Sequence, residues 1–74
     1  MIILEEKTFD DGHGTKYICC ELMYDSESYL TMYSKTLTEI KVYFAEPGFK
    51  NWRETNESNA VEKKISKLLK EKFS

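Results

Sequence analysis

The stretch NAVEKKISKLLKEKF, residues 59–73, predicts an amphipathic α-helix and decides the fold. Asn59 is a favoured N-cap residue, and Glu62, three positions later, completes the pattern of a capping box. The apolar residues share one stripe at helical spacing: Val61, Ile65, Leu68, Leu69 and Phe73. Because an isolated helix of this length is marginal in water, the stripe is expected to pack on another element.

The preceding sequence predicts that this element is a β-sheet. Residues 2–9 and 16–24 read as strands on either side of Asp10-Asp11-Gly12-His13-Gly14, a hairpin turn whose glycines supply positive φ. A second polar turn, 25–28, leads to a third strand at 29–33. Since both connections are short, an antiparallel meander is expected.

Alternation along the strands predicts which side chains face the helix. On the second strand one face holds Ile18, Cys20, Leu22 and Tyr24, which we expect to form the core. On the first strand Ile2 and Leu4 are expected to point inward, and on the third Leu30 and Met32 oppose Tyr29, Thr31 and Tyr33.

Residues 37–44 allow two interpretations. With period two, Thr38, Ile40, Val42 and Phe44 share one strand face; with period 3.6, Thr36 and Glu39 cap a short helix that Pro47 stops. We favour the strand because β-branched and aromatic residues crowd the segment. A loop at 45–57 follows.

The predicted fold is therefore a single α+β domain, residues 1–74, in which a three- to four-stranded antiparallel β-meander packs on one C-terminal helix. The hydrophobic fraction of 41% and the charged fraction of 32% are those of a folded chain. No run approaches the roughly 20 apolar residues that cross a bilayer, and the N-terminal stretch meets Glu5 too soon for a signal peptide, so a cytoplasmic protein without membrane contact is expected.

The sequence argues against several kinds of chemistry. A structural zinc site needs four Cys or His ligands, whereas this chain has two cysteines and one histidine. Cys19 and Cys20 are adjacent, so a disulfide between them would distort the backbone, and reduced thiols are expected. His13 lies in a polar turn, where a solvated side chain is favoured over a catalytic base. We expect neither an enzyme nor a bound cofactor or metal.

Two candidate contact surfaces remain. The first is the sheet face away from the predicted core, which would carry Tyr17, Met23, Tyr29, Tyr33 and Tyr43, with Trp52 nearby. Such a cluster can stabilise the sheet through cross-strand pairs, can be covered by the loop that holds Trp52, or can bind a partner.

The second candidate is a basic surface formed by Lys63, Lys67 and Lys70 on the polar side of the helix, together with Arg53. A solvated polar face is the favoured explanation of these lysines, because any amphipathic surface helix needs one. Nucleic acid would additionally meet repulsion from the acidic sheet, because residues 1–46 carry nine acids against four lysines.

The sequence thus favours a small non-enzymatic protein-binding module, an adaptor, inhibitor or dimerising accessory protein of the kind that phages and mobile elements encode. It would bind another protein, or itself as a homo-oligomer, through the tyrosine-bearing face or an exposed strand edge. The alternative is a nucleic-acid-associated protein that uses the lysines.

Overall fold

The structure is a computed structural model and describes residues 1–46 and 51–74. One antiparallel sheet has its strands in chain order, and a single helix follows it. The elements are β1 (Ile2–Asp10), β2 (Lys16–Tyr24), β3 (Glu27–Lys35), β4 (Ile40–Ala45), β5 (Trp52–Glu54) and α1 (Ala60–Phe73). The protein is an α+β meander, as predicted, with one strand more than the sequence indicated.

The core lies between α1 and one face of the sheet, which we call the helix face. Ile65 and Leu69 of α1 are fully buried there. They pack against a cluster contributed by the sheet: Ile18, Cys20, Leu22, Tyr33, Val42 and Phe44. Val61 and Phe73 are partly buried and pack against this cluster, whereas Leu68 is half-buried and is not one of its members. The predicted stripe therefore faces the sheet through Val61, Ile65, Leu69 and Phe73, whereas the prediction that Leu68 belongs to the core is wrong.

The prediction for the faces of β3 is wrong. The turn between β2 and β3 has two residues, Asp25 and Ser26, both at positive φ, and it places Tyr24 opposite Glu27. Every even-numbered residue of β2 is consequently paired with an odd-numbered residue of β3. Thr31 and Tyr33 therefore lie on the helix face and are buried.

Tyr29 lies on the same side, where its ring meets Phe44 edge to face with centroids 6.3 Å apart. Leu30 and Met32, which the alternation placed inward, belong to the opposite face of the sheet. That face, on which no described residue packs as α1 does, we call the open face.

A β-bulge overturns the prediction for β1. The register between β1 and β2 shifts between Ile3 and Glu5, so Ile3 rather than Leu4 is opposite Leu22. An extra residue reverses the side on which every residue beyond it points. Ile3 therefore packs on the core, while Ile2 and Leu4 are exposed, with 64% and 52% of their surface in solvent.

The strand interpretation of residues 37–44 is confirmed from Ile40 onward, with Val42 and Phe44 buried as expected. Its beginning is corrected, because Thr36 to Glu39 form a turn. The hydroxyl oxygen of Thr36 accepts hydrogen bonds from the backbone N–H groups of Thr38 and Glu39, at 3.3 and 3.1 Å. The predicted capping pattern is thus a local turn motif that precedes a strand.

The predicted loop at 45–57 contains β5, in which Trp52 is opposite Ala45 and Arg53 is opposite Phe44. Positions 47–50 of the predicted loop, which include Pro47 and Gly48, lie outside the described residues. The sequence did not reveal β5 because three residues are too few to establish a period.

The helix begins where the sequence predicted. The side-chain oxygen of Asn59 accepts from the backbone N–H groups of Val61 and Glu62, at 3.0 and 3.1 Å. The second half of the predicted capping box is wrong, since the Glu62 carboxylate binds Arg53 and the N–H of Asn56 instead. Glu62 thereby ties the start of α1 to β5.

Tyr33 makes a stability prediction possible. Its side chain is 1% exposed, and its hydroxyl has no hydrogen-bond partner among the described residues. Since an unsatisfied buried hydroxyl is costly, Tyr33→Phe is expected to leave the free energy of unfolding unchanged or to raise it by up to about 1 kcal/mol. Urea unfolding measures this, with Tyr29→Phe as the control. A loss above about 1 kcal/mol in Tyr33→Phe would show that the hydroxyl is hydrogen-bonded.

Candidate partner-binding surface

The open face is built by the residues that alternate with the core positions of each strand. Pairing registers place Phe9 beside Tyr17, and they place Met32 between Cys19 and Tyr43. Directly opposed side chains on one face have Cβ atoms about 4.5–5.5 Å apart, so they contact one another. The apolar members of the open face are Ile2, Phe9, Tyr17, Cys19, Met23, Leu30, Met32, Tyr43, Ala45 and Trp52.

One row of the open face crosses all five strands. It runs from Lys7 on β1 through Cys19, Met32 and Tyr43 to Glu54 on β5. The three central side chains are half-buried by their neighbours alone, and the two ends are charged. An apolar centre with a polar rim is the usual composition of a protein–protein contact surface.

The charges at both ends of this row are held in local ion pairs. Lys7 Nζ lies 3.5 Å from Glu5, and Lys41 Nζ lies 2.8 Å from Glu54. The hydrogen bond to Glu54, together with the charge of Glu39, raises the pKa of Lys41, so this lysine remains positive at neutral pH. In a protein interface, charges at the rim affect the orientation of the partner and the rate of association more than the binding affinity.

The structure brings together four of the six residues predicted for the tyrosine-bearing face. Tyr17, Met23, Tyr43 and Trp52 all lie on the open face, where Trp52 is 41% exposed.

Tyr29 and Tyr33 do not belong there. Tyr33 is enclosed against Phe73, with ring centroids 5.5 Å apart, and burial raises the pKa of its hydroxyl. Tyr29 packs on the core from the same side of the sheet, and its hydroxyl donates to Glu27 at 3.2 Å. Replacing these two tyrosines would therefore disturb the fold and would not test the contact surface.

The prediction missed Leu30, Met32 and Phe9. Leu30 and Met32 are half-buried on the open face, and Phe9 is 53% exposed. The position of Leu30 and Met32 follows from the even number of residues in the β2–β3 turn, and the position of Phe9 follows from its pairing with Tyr17. Leu30 and Met32 thus lie on the open face in place of Tyr29 and Tyr33. The side chain of methionine is flexible and can adapt its shape to varied partners.

The basic candidate surface differs in composition from the one that the sequence indicated, because Lys64 belongs to it and Arg53 does not. Lys63, Lys67 and Lys70 are exposed on α1 and line a shallow depression of about 710 Å³ together with Lys64. Arg53 does not contribute a free charge to this surface. Both of its terminal nitrogens lie 2.7 Å from Glu62 oxygens, and its Nε binds Glu46.

The hairpin turn that contains His13 is organised by its aspartates. One Asp11 oxygen accepts from the N–H groups of His13 and Thr15, at 2.7 and 3.1 Å. These bonds lower the pKa of Asp11. The imidazole of His13 is exposed, which agrees with the solvated turn residue that the sequence predicted.

The adjacent cysteines are free thiols in different environments. Burial raises the pKa of Cys20 to about 11, with Glu6 and Cys19 adding to the effect. Burial also raises the pKa of Cys19, but Lys7 opposes this, and the Cys19 side chain reaches the open face. The two thiols therefore report separately on the core and on the open face.

This difference predicts selective alkylation. With excess iodoacetamide at about pH 8, Cys19 is expected to react slowly and Cys20 to resist until the protein unfolds, because only the thiolate is nucleophilic. Peptide mass spectrometry of samples taken over time measures both rates, and denatured protein serves as the control in which both react. Equal rates in the folded protein would contradict the placement of Cys20 in the core.

Comparison of the chain with protein-family models, with curated proteins and with solved structures finds no match. Within residues 1–46 and 51–74, no group of three or more His, Cys, Asp or Glu residues is placed to hold a metal ion. In the same part of the chain, no helix has the length and apolar character needed to cross a membrane.

Proposed function

We propose that this protein is a non-enzymatic protein-binding module, an adaptor or inhibitor, that binds its partner through the open face. The observation that carries the proposal is the row of Cys19, Met32 and Tyr43, which is apolar, central and left uncovered by the described residues. Methionine and aromatic side chains supply much of the contact area in protein interfaces.

The energetics of the two candidate surfaces support this choice. Aromatic side chains offer large contact area for little loss of rotamer freedom, whereas an exposed lysine loses more freedom and its charge is screened by salt. Arg53, which could have strengthened a basic surface by binding phosphate in a bidentate manner, is already bound to Glu62 and Glu46. The lysine surface therefore stays the weaker hypothesis.

Affinity capture from cells of the native host, with matched bait variants, tests the proposal. The first variant is Met32→Thr with Tyr43→Thr, which removes apolar area while keeping β-branched residues that suit strands. The control variant replaces Lys63, Lys67 and Lys70 by Gln. Circular dichroism confirms that both variants fold, and each capture is run with and without nuclease.

The proposal requires a protein partner that resists nuclease, is lost with the threonine variant and is retained by the glutamine variant. Loss of the partner with the glutamine variant, or with nuclease alone, would assign function to the lysine surface and to nucleic acid.

A further inference from the structure

The outer edge of β1 is a second feature on which an interaction can be built. β1 has nine residues, of which Ile3 alone is partly buried, and among residues 1–46 and 51–74 it pairs only with β2. The opposite edge of the sheet is β5, which has three residues. A long exposed edge strand is a template for pairing with another strand, whereas a short one is protected.

The direction of the β1 backbone groups follows from the hairpin. The N–H of Asp11 donates to the C=O of Thr15 at 3.2 Å, which makes that pair a hydrogen-bonded one. In an antiparallel ladder such pairs alternate along the strand, so Phe9, Lys7 and Glu5 direct their backbone groups to β2. Thr8 and Glu6 consequently direct theirs away from the sheet.

We propose that the occupant of this edge is a second copy of the chain, whose β1 pairs antiparallel with the first about a two-fold axis at Glu6. In this register the outward N–H and C=O groups of the two Glu6 residues bond to each other. The two-fold axis places the open faces of both copies on the same side of the joined sheet. Each residue therefore pairs with a residue of the second copy that lies on the same face, open or helix, as itself. Lys7 then lies opposite Glu5 of the second copy.

Charge selects this register over its neighbours. The Lys7–Glu5 contact occurs twice in the dimer, at positions without hydrogen bonds, where opposed side chains are closest. An axis at Lys7 would oppose two lysines, and an axis at Glu5 would oppose two glutamates, in each case without an opposite-charge contact to offset the repulsion. The axis at Glu6 also opposes two glutamates, but it adds two Lys7–Glu5 contacts, which outnumber that single repulsive pair.

On the helix face, the two Glu6 carboxylates would be neighbours. Glu6 is exposed, so solvent and salt screen this single repulsive pair. The opposite-charge contact between Lys7 and Glu5 occurs twice, and it therefore outweighs the repulsion.

The expected dimer is weak. A single pair of edge strands buries less than the roughly 800 Å² per partner of a stable interface, so dissociation in the micromolar range or above is expected. Such a dimer leaves the open faces of both copies accessible and side by side. The proposal is thus independent of the proposed function, which uses a different surface.

Sedimentation equilibrium and amide hydrogen exchange by NMR, over protein concentrations from about 1 μM to about 1 mM, test the dimer. A monomer–dimer equilibrium is expected. The amides of Glu6 and Thr8 should exchange rapidly in dilute protein and become protected as the concentration rises, while those of Lys7 and Phe9 stay protected throughout.

Four variants sharpen the test. Lys7→Glu should raise the dissociation constant at least about tenfold, and the exchange of charges in E5K/K7E should restore it to within about threefold of the original value. Thr8→Pro removes an outward N–H without breaking a bond to β2 and should prevent dimerisation, whereas Thr8→Val should not.

A chain that stays monomeric at every concentration would overturn the proposal. So would a dimer in which the exchange of the Glu6 and Thr8 amides does not depend on concentration, because that dimer would use another surface. Neither result bears on capture of a different protein by the open face, so the two proposals fail separately.

Discussion

Replacing Leu69 by Ala is expected to lower the free energy of unfolding by about 2–5 kcal/mol, the range for removing a fully buried leucine. Leu69 is 0% exposed and packs with Ile65 against the helix face of the sheet. A chain of 74 residues has a total stability of about 4–11 kcal/mol, so the change removes a large share of it. Urea unfolding followed by circular dichroism measures the loss.

Leu68→Ala is the matched control on the same helix. Leu68 is half-buried and lies outside the buried cluster, so its truncation should cost about 1 kcal/mol, clearly less than that of Leu69. A larger loss in Leu68→Ala than in Leu69→Ala would mean that α1 is rotated about its axis relative to the arrangement described.

The second large effect is expected at the ion pair between Arg53 and Glu62. The Glu62 side chain is 8% exposed, and the bonds from Arg53 lower its pKa although burial acts in the opposite direction. Arg53→Met would leave the carboxylate with the N–H of Asn56 as its remaining partner. A loss of about 2–4 kcal/mol is expected, because a buried charge without its partner is costly.

Acid pH and a double variant check the cause. In the original protein folding lowers the pKa of Glu62. The ionised carboxylate therefore contributes its full share of stability above pH 4.5, its ordinary pKa. This contribution is lost as the pH falls through the lowered pKa of the folded protein. In Arg53→Met, burial outweighs the remaining hydrogen bond from Asn56 and would raise this pKa, so the penalty should shrink on acidification. The double variant R53M/E62L should recover much of the stability.

If Arg53→Met stayed within about 0.5 kcal/mol of the original protein at neutral pH, the pair would contribute nothing to stability. A penalty that is constant with pH would show that lost packing, rather than the exposed charge of Glu62, is responsible.

The sequence was sufficient for the elements with strong local signals. The helix was placed within one residue because Asn59 caps it and the apolar stripe recurs at 3.6 residues. The β1–β2 hairpin was found because Gly12 and Gly14 supply the positive φ that its turn requires. These signals depend on neighbours in the chain and not on distant packing.

The orientation of β3 could also have been obtained, but not from alternation alone. Both sets of alternating residues in β3 are apolar enough to form a core, so the period does not choose between them. The length of the turn does, since an even number of turn residues puts Tyr29 on the same face as Tyr24. This register places Met32, and not Tyr33, on the candidate surface.

The bulge in β1 and the short strand β5 could not be obtained in this way. The bulge inserts Leu4 at a point where the alternation of Ile2, Ile3 and Leu4 gives no period. β5 is stabilised by pairing with β4 and by the attachment of Arg53 to Glu62, which are both long-range contacts. Trp52 therefore lies in a strand, opposite Ala45, although the sequence assigned it to a loop.

The proposal that the open face binds the partner is tested most directly by site-specific photo-crosslinking in cells of the native host. In one sample a photo-reactive phenylalanine analogue replaces Tyr43, which preserves an aromatic ring on the open face. In the other sample the same analogue replaces Lys67, on the outer side of α1. A nuclease-resistant protein adduct is expected from position 43 and none from position 67. Adducts from position 67 alone, or adducts that nuclease removes, would contradict it.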